Sequence, residues 1–414
     1  MFTLLFIAFL LADVAVRLWL ATRQIRYVQA RRGEVPAEFA AKIGLYSHQR
    51  AADYTVARMQ LSILERVVDA AVLVGLTLLG GLQYLNVALG RAIAGDMWRQ
   101  LALIGCVLAI LGLISLPFSL WRRFRLEARF GFNRMTPKLF ALDACKGLLL
   151  GLVLGTPLAA LVLWLMAHAG AYWGWWAWLV WVAFNVLMLW LLPTVIAPMF
   201  NRYTPLDNPE ISERIGALAQ RSGFTLSGLY VMDGSKRSAH GNAYFTGFGK
   251  SRRIVFFDTL LARLAPEEIE AVLAHELGHF KHRHIIKRMV LSFALALVFF
   301  LVLQWLSGRV WFYTGLGVLP QIGRANDALA LILFFLATPV FTFWAGPLAS
   351  RMSRRDEFQA DRYAVQQCTA APLASALVKL YDDNAATLTP DPLHSAFYDS
   401  HPPAIQRIRQ LQHG

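Results

Sequence analysis

Long apolar stretches without a charged side chain recur along the chain. No Asp, Glu, Lys or Arg occurs in Leu101–Leu120 or in the 55 residues of Gly147–Asn201. A bilayer core about 30 Å thick needs roughly 20 apolar residues per helix, so the first stretch predicts one membrane span. The second stretch is long enough for two spans, with a turn at Ala169–Tyr172. Met289–Ser307 and Ala328–Ser350 predict two further spans.

Two other stretches have the length of a span but carry charged residues. Phe2–Thr22 contains Asp13 and Arg17, whose i, i+4 spacing lets one helix face neutralise both charges. Val67–Leu89 contains Asp69. With both included, the sequence predicts seven transmembrane helices. The alternative for the first stretch is a cleaved signal peptide, which the absence of a basic region before it does not favour.

The composition is typical of a polytopic membrane protein. The 414 residues are 57% hydrophobic and 16% charged, against about 45–50% and about 25% in a soluble globular chain. This balance excludes an ordinary soluble enzyme, and also a disordered, collagen-like or coiled-coil chain. Three cysteines are too few for a disulfide framework. The net charge of +14 predicts basic cytoplasmic loops rather than binding to nucleic acid.

Lysine and arginine are distributed unequally between the two sets of loops. With seven spans, the first and third loops carry fifteen of these residues on one side, and the opposite loops carry four. Because cytoplasmic loops are enriched in basic residues, we expect the amino terminus outside and the carboxyl terminus in the cytoplasm. The predicted organisation is five helices with basic loops in 1–201, a cytoplasmic domain in 202–288, two helices in 289–350 and a cytoplasmic tail in 351–414.

The predicted cytoplasmic domain contains an HExxH motif, formed by His275, Glu276 and His279. Pro266 and two glutamates precede an apolar run, which predicts a helix over the motif. Residues i and i+4 share a helix face, so both histidines can reach one metal ion, and Glu276 lies beside it to hold a water molecule. The motif therefore predicts the zinc site of a metalloprotease. The alternative is a polar surface helix with two incidental histidines.

A catalytic zinc site needs a third protein ligand and an open position for water. Glu357 and Asp361, spaced i, i+4 on a predicted helix, follow the last predicted span. We predict Glu357 as the third ligand and Asp361 as the acceptor for the second N–H of a ligating histidine. Two spans separate these residues from HExxH, so both motifs lie on the same side of the membrane. The alternative is a charged helix start just beyond a membrane span.

Other histidines lie close to the motif or near the carboxyl terminus. His401 precedes two prolines, and Arg407 follows it by six residues. A cationic pair near zinc could stabilise the oxyanion of a tetrahedral intermediate, whereas the alternative is an ordinary surface histidine. His282 and His284 are interpreted as marking the end of the motif helix rather than as metal ligands.

A series of short motifs precedes and follows HExxH in a fixed order. They are Phe130–Asn133, Asp233–Ser238, Asn242–Phe245, Arg253–Leu261, Ser353–Arg355, Gln359–Asp361 and Ser400–Pro403 with Arg407. Together with HExxH, this series resembles the integral-membrane zinc endopeptidases typified by the type I CaaX prenyl protease. The resemblance covers almost the full chain.

This resemblance implies a mainly α fold, with seven helices arranged as a barrel around a large chamber and a small α+β zinc domain of the gluzincin type. It implies cleavage of the C-a-a-X tail of isoprenylated proteins after the modified cysteine. By this similarity, Asn242 with its strand neighbours Ala243 and Tyr244 would hold the substrate backbone. His401 and Arg407 would lie over the reacting carbonyl. An extended substrate commonly adds to a strand edge, but the strand character of 241–248 by itself also fits an ordinary strand.

The expected cofactor is one Zn²⁺ per chain. The expected partners are the bilayer and a peptide or protein substrate, prenylated or membrane-tethered; the oligomeric state is open, and a monomer is compatible with the sequence. An Ala- and Arg-rich composition and a terminus without a dibasic signal favour the bacterial inner membrane over the endoplasmic reticulum. Bacteria generally do not prenylate C-a-a-X tails, so a quality-control protease without prenyl recognition is one alternative. A transporter with structural zinc is another, although structural zinc usually has four protein ligands.

Overall fold

The computed structural model describes residues 1–246 and 253–413, and these form a mainly helical molecule. The helices are α1 (Phe2–Ala30), α2 (Leu45–Leu76), α3 (Gly81–Ala92), α4 (Asp96–Trp121), α5 (Pro137–Leu150), α6 (Thr156–His168), α7 (Trp173–Leu191), α8 (Ala197–Phe200), α9 (Pro209–Arg221), α10 (Asp258–Leu261), α11 (Pro266–Lys281), α12 (His284–Ser307), α13 (Val310–Gly315), α14 (Asp327–Thr342), α15 (Gly346–Gln367), α16 (Ala370–Asp383), α17 (Pro392–Tyr398) and α18 (Ala404–His413). Wider π-helical turns continue α4, join α5 to α6 and join α7 to α8: Arg122–Glu127, Gly151–Gly155 and Leu192–Ile196.

Six helical segments in the described residues are long and apolar enough to cross a membrane. They are Phe2–Ala30, Asp96–Glu127, Pro137–His168, Gly170–Phe200, His284–Ser307 and Asp327–Gln367. The predicted division of the long apolar run is confirmed, because α6 ends at His168 and α7 begins at Trp173. The last segment continues from α14 through a 3-10 turn into α15, so a membrane span extends directly into the helix that carries Glu357.

The second predicted span, Val67–Leu89, is wrong as a single helix. α2 ends at Leu76, and α3 begins at Gly81. Gly80 between them has φ +80°, a left-handed conformation that favours glycine. A Cβ on Gly81 would lie 2.6 Å from the carbonyl oxygen of Gly75, so this close turn requires glycine. An apolar run does not reveal such a turn, and the predicted count of seven spans is not confirmed.

A four-stranded sheet lies in the predicted zinc domain. Its strands are β1 (Tyr203–Pro205), β2 (Gly228–Met232), β3 (Ala243–Thr246) and β4 (Arg253–Phe257), in the spatial order β1-β2-β4-β3. β2 and β4 are parallel, and the edge strands pair antiparallel with them. The predicted strand is thus confirmed at β3, while Gly247 and Phe248 lie outside the described residues. Among the described strands β3 pairs with β4 alone, so its outer edge has no partner strand there.

Two main hydrophobic cores hold the molecule together. The membrane core includes the fully buried Phe6 of α1 and Leu163 of α6. The second core packs the sheet against α9, α11, α16 and α18, and it includes Ile215 and Phe256. Phe39, from the segment between α1 and α2, is fully buried in this second core. Because Phe39 comes from the segment between two helices of the membrane part, it links that part to the second core. Burial of such a side chain contributes about 1.5–3 kcal/mol.

Candidate active site

Helix α11 carries the HExxH motif, as the sequence predicts. Pro266 occupies its first turn, where the missing N–H of proline has no intrahelical acceptor to lose. The backbone N–H of Ala265 donates to Glu268 Oε2 at 2.8 Å, and Lys379 Nζ of α16 donates to the same oxygen at 2.7 Å. The start of the motif helix is therefore fixed both by its own glutamate and by a neighbouring helix.

Gly278, within the motif, brings α11 into close contact with α15. A Cβ at this position would lie 2.9 Å from the Cα of Ala360 and 3.1 Å from its carbonyl oxygen. Two small residues therefore face each other where the helices cross. As a result, α15 presents the buried side chains of Glu357 and Asp361 to the motif helix.

His275, His279 and Glu357 meet at one point between these two helices. Their ligand-type atoms all lie within 4.8 Å of one another. His275 Nε2 is 3.4 Å from Glu357 Oε2, and His279 Nε2 is 3.5 Å from Glu357 Oε1. The two Nε2 atoms are 3.3 Å apart. Ligand atoms about 2.0–2.2 Å from a tetrahedral ion are roughly 3.3–3.6 Å apart, so the three side chains fit a zinc-sized ion.

The burial of Glu357 also favours a metal ion. Its Oε2 is buried and has no hydrogen-bond partner among the residues that the structure describes. A buried polar atom without a partner costs about 1–3 kcal/mol, and more when it is charged. A cation bound between the three side chains would satisfy this oxygen. Two imidazoles and one carboxylate are also the donor set of several catalytic zinc sites.

Asp361 and Arg407 form the wall behind His275. Asp361 Oδ1 is 2.8 Å from His275 Nδ1, and Arg407 donates from Nε and Nη2 to the two oxygens of Asp361 at 2.8 and 2.6 Å. Burial disfavours charge on His275, but the hydrogen bond to Asp361 and the nearby carboxylate of Glu357 outweigh burial and raise the pKa of His275 to about 9. The carboxylates of Asp361 and Glu357 therefore favour a positive charge where the three side chains meet.

A cavity of about 350 Å³ opens beside the three side chains. Glu276 lies in its wall, and burial raises the pKa of the Glu276 carboxyl above its ordinary value. Asn242 and Ala243, at the sheet edge, and His401, in the tail, lie in the same wall. Its apolar lining is Leu260, Val272, Leu373, Leu377 and Leu380. The cavity therefore places the Glu276 carboxylate and the edge of the sheet next to the meeting point of His275, His279 and Glu357.

His401 and Arg407 both line this cavity, but they differ in exposure and in their partners. His401 Nε2 is 3.5 Å from Glu357 Oε1, while 62% of the His401 side chain is exposed. Arg407 is buried, and its Nη2 lies 3.4 Å from His275 Nδ1. Because Nε and Nη2 of Arg407 are both bound to Asp361, the guanidinium is held behind His275. The predicted place of Arg407 over a reacting carbonyl stays a prediction.

The three strand residues with a predicted role in substrate binding separate into two groups. Asn242 and Ala243 line the catalytic cavity. The side chain of Tyr244 lies outside that wall, and its hydroxyl is 3.1 Å from the hydroxyl of Tyr203 in β1. Ala243 and Tyr244 are successive residues of β3, so their side chains point to opposite faces, whereas Asn242 precedes the strand and does not follow this alternation.

The position of His284, the first residue of α12, was missed from the sequence. The side chain is buried, and its Nδ1 lies 3.1 Å from Nδ1 of His279. His279 and His284 are five residues apart and would not share a face of one helix, so their spacing did not predict this contact. Arg283, with φ +55°, turns the chain between α11 and α12 and brings the two imidazoles together.

A membrane-spanning chain with an HExxH helix and a converging glutamate belongs to the class of membrane-bound metallopeptidases. Comparison with known families agrees with this class. Residues 24–202 match the family described as CAAX prenyl protease N-terminal, five membrane helices, and residues 205–414 match peptidase family M48. The chain belongs to peptidase family M48.

Several relatives match over most of their length. The chain is 31% identical to CAAX prenyl protease 1 of Saccharomyces cerevisiae, over 98% of this chain and 94% of the relative. It is 36% identical to the CAAX prenyl protease 1 homolog of Oryza sativa, over 77% and 74% of the two chains. The crystal structure of S. mikatae Ste24p superimposes with a TM-score of 0.92 at 29% identity, covering 100% of this chain and 99% of that one.

These similarities confirm the predicted class and fold. The chain is a mainly helical membrane metalloprotease of the CAAX prenyl protease 1 type. Membership of this peptidase family therefore excludes the alternative that the chain is a transporter with structural zinc. The peptidase family implies a metal ion, in agreement with the fit of the three side chains.

Proposed function

We propose that the chain is a zinc endopeptidase that holds one Zn²⁺ with His275, His279 and Glu357. The proposal is carried by the convergence of their ligand atoms around Glu357 Oε2, which has no hydrogen-bond partner within residues 1–246 and 253–413, with Glu276 in the adjoining cavity wall. Three protein ligands leave the open position that a catalytic zinc site requires. Zinc held there would act as a Lewis acid, polarising the substrate carbonyl and lowering the pKa of a water molecule.

Glu276 acts first as the general base and then as the general acid. Its carboxylate accepts a proton from the water that attacks the scissile carbonyl, and the carboxyl later delivers a proton to the leaving amine. The raised pKa of Glu276 suits both steps, because the group must take up and release a proton near neutral pH. Proton transfer by a positioned side chain typically contributes about 10²–10⁴-fold to the rate.

His401 and Arg407 have separate roles in this proposal. His401 Nε2 lies beside the cluster at the cavity, where it can donate a hydrogen bond to the oxyanion that forms from the carbonyl. Arg407 acts through Asp361, because it fixes both carboxylate oxygens. Asp361 then accepts the Nδ1–H of His275, which directs His275 Nε2 toward the metal position.

The substrate binds as an extended chain along the edge strand β3. Support comes from the edge position of β3 and from Asn242 and Ala243 in the cavity wall. Strand addition uses backbone hydrogen bonds and therefore tolerates different side chains. In this arrangement Tyr244 contributes backbone groups, because its hydroxyl is already bound to Tyr203.

We propose prenylated or membrane-tethered substrates, cleaved near a carboxyl-terminal C-a-a-X sequence. The names of the relatives support this substrate class. A cavity of about 650 Å³, lined by both apolar and charged side chains, lies among α1, α2, α4 and α14. A second cavity, of about 480 Å³, shares Arg17 with the first and His401 with the catalytic cavity. This series of cavities supports a route for a lipid-attached chain toward the zinc position.

We further propose that the zinc site faces the cytoplasm of a bacterial cell and that the chain lies in the inner membrane. The fifteen basic residues in the two loops on that side support the orientation. The Ala- and Arg-rich composition supports the bacterial location. Labelling of a single cysteine placed in the tail, with a reagent that does not cross membranes, tests the orientation. Labelling of this cysteine in intact cells would contradict the cytoplasmic orientation.

A pair of matched peptides tests the proposed activity. Purified full-length protein in detergent is given farnesylated and unmodified peptides ending in C-a-a-X, with and without a zinc chelator. We expect cutting of the farnesylated peptide that the chelator abolishes and added Zn²⁺ restores. The Glu276→Gln protein should contain zinc but cut neither peptide, and turnover by it would overturn the mechanism. Equal cutting of both peptides would favour a quality-control protease without prenyl recognition.

A further inference from the structure

His284 is the first residue of membrane helix α12, yet it lies against the zinc domain. Only His282 and Arg283 separate α11 from α12. Arg283 has φ +55°, a left-handed conformation uncommon for a residue with a side chain, and it folds the chain back on itself. His284 is 1% exposed as a result. Such a buried imidazole needs hydrogen-bond partners for both of its nitrogens.

The partners of His284 determine which of its nitrogens carries the proton. Nε2 faces Gln359 Oε1 at 2.9 Å and Asp356 Oδ1 at 3.6 Å. An ionised carboxylate can only accept, so Nε2–H is the donor, and Nδ1 of the neutral ring is an acceptor. Nδ1 of His284 therefore accepts the Nδ1–H of His279 at 3.1 Å. This arrangement leaves Nε2 of His279 without a proton, facing His275 and Glu357.

We propose that His284 is a positioning residue that fixes the tautomer and orientation of His279 for metal binding. The inference rests on the proposed metal site and adds a partner to it. The two histidines of HExxH then have different supports. His275 donates to the carboxylate of Asp361, whereas His279 donates to a neutral imidazole.

This support links the metal site to two membrane helices. His284 belongs to α12, and Gln359 and Asp356 belong to α15, which continues the last span. Arg288 of α12 donates to Asp356 Oδ2 from Nε at 3.0 Å and from Nη2 at 2.8 Å, closing the contact between the two helices. The orientation of His279 therefore depends on how α12 and α15 pack against each other.

Zinc affinity of the full-length protein tests the proposal independently of turnover. The protein is purified in detergent, and zinc is titrated in competition with a chromogenic chelator. Loss of a residue that orients a ligating histidine typically weakens metal binding by about 10–100-fold, so we expect this loss for His284→Phe. His284→Asn restores an acceptor near the position of Nδ1 and should recover most of the affinity. His282→Ala is the matched control, because His282 is exposed and makes ring contacts alone, stacking on His284 and meeting Tyr363 edge-on in the described part of the chain.

Two further measurements distinguish a loss of His279 positioning from a loss of folding and from an incorrect metal site. Metal-free His284→Phe should melt within a few degrees of the metal-free unchanged protein, which distinguishes lost positioning from lost folding. Unchanged zinc affinity in His284→Phe, or equal losses in His284→Phe and His284→Asn, would overturn the proposal. His279→Ala binding zinc as tightly as the unchanged protein would instead overturn the metal site itself.

Discussion

Arg407 and Asp361 form a buried ion pair with two hydrogen bonds, from Nε to Oδ2 at 2.8 Å and from Nη2 to Oδ1 at 2.6 Å. Their side chains are only 6% and 1% exposed. The pair joins α18, at the carboxyl-terminal end, to α15. Because Asp361 also contacts His275 Nδ1, the last helix of the chain supports the first histidine of the HExxH motif.

Removal of Arg407 should destabilise the protein strongly. Arg407→Gln leaves the Asp361 carboxylate buried without its cation, which costs about 3–5 kcal/mol in the free energy of unfolding. Arg409→Gln is the matched control on the same helix, since Arg409 pairs with Glu38 and is 60% exposed. An exposed pair contributes about 0–1 kcal/mol. Thermal unfolding in detergent measures both, and equal effects would contradict the structural role of Arg407.

The close contact at Gly278 gives a second prediction. Gly278→Ala places a methyl group 2.9 Å from the Cα of Ala360, so α11 must move away from α15. Such overpacking costs about 1–3 kcal/mol, and the movement should also weaken zinc binding because the ligands lie on both helices. Thermal unfolding and zinc content measure the two effects.

Gly216 provides the control for this substitution. It lies inside α9, and a Cβ built on it has no atom within 4 Å. Gly216→Ala should therefore stabilise the protein by about 0.4–1 kcal/mol, through the lower entropy of the unfolded chain. If the Gly278→Ala protein were as stable as the Gly216→Ala protein and had full zinc content, the close contact between α11 and α15 would not determine the geometry of the zinc ligands.

The sequence predicts those parts of the site that depend on helical periodicity. The i, i+4 spacing placed His275 and His279 on one face, and Glu357 and Asp361 on another. Membrane topology placed both pairs on the same side. These side chains meet in the structure because each spacing follows from one regular helix.

Features that depend on turns and side-chain direction could not be predicted. The break at Gly80 and the approach of His284 to His279 each require a residue with positive φ, which an apolar pattern does not encode. The position of Arg407 behind His275 depends on how α18 packs. The side chain of Tyr244 lies outside the cavity wall and contacts Tyr203 of β1, a pairing across the sheet that the strand pattern alone does not specify.

Asn242 and Tyr244 should differ in their effect on catalysis. Asn242 lines the cavity beside Glu276, so Asn242→Ala should lower kcat/KM about 2- to 10-fold, the loss expected for one hydrogen bond. Tyr244→Phe removes a hydroxyl bound to Tyr203 and should leave kcat/KM unchanged. Peptide cleavage rates, with thermal unfolding as a check on folding, measure both variants. A larger loss in Tyr244→Phe than in Asn242→Ala would contradict the assignment of the cavity face.

His240 should make stability depend on pH. Its Nε2 lies 3.6 Å from Glu127 Oε2, its Nδ1 lies 2.8 Å from Asn384 Oδ1, and its ring stacks on Phe132. The hydrogen bond to Glu127 raises the pKa of His240 above its ordinary value of 6.5, against the opposing effects of burial and Arg58. A raised pKa in the folded state stabilises the protein fully below the pKa of the unfolded state. This stabilisation is lost as the pH rises through the folded pKa.

The difference in melting temperature between the unchanged protein and His240→Gln should therefore be largest near pH 5.5 and smaller near pH 8.5. Comparing the two proteins at each pH cancels the titration of groups elsewhere in the chain. Glu127→Gln supplies the control, because without the carboxylate the effect of His240→Gln should lose most of its pH dependence. A His240→Gln effect that stays constant between these pH values, or grows toward pH 8.5, would show that the pair with Glu127 does not stabilise a charged imidazole. The result bears on catalysis as well, since His240 lies two residues before Asn242, which leads into β3, and contacts Glu127 in the turn that continues α4.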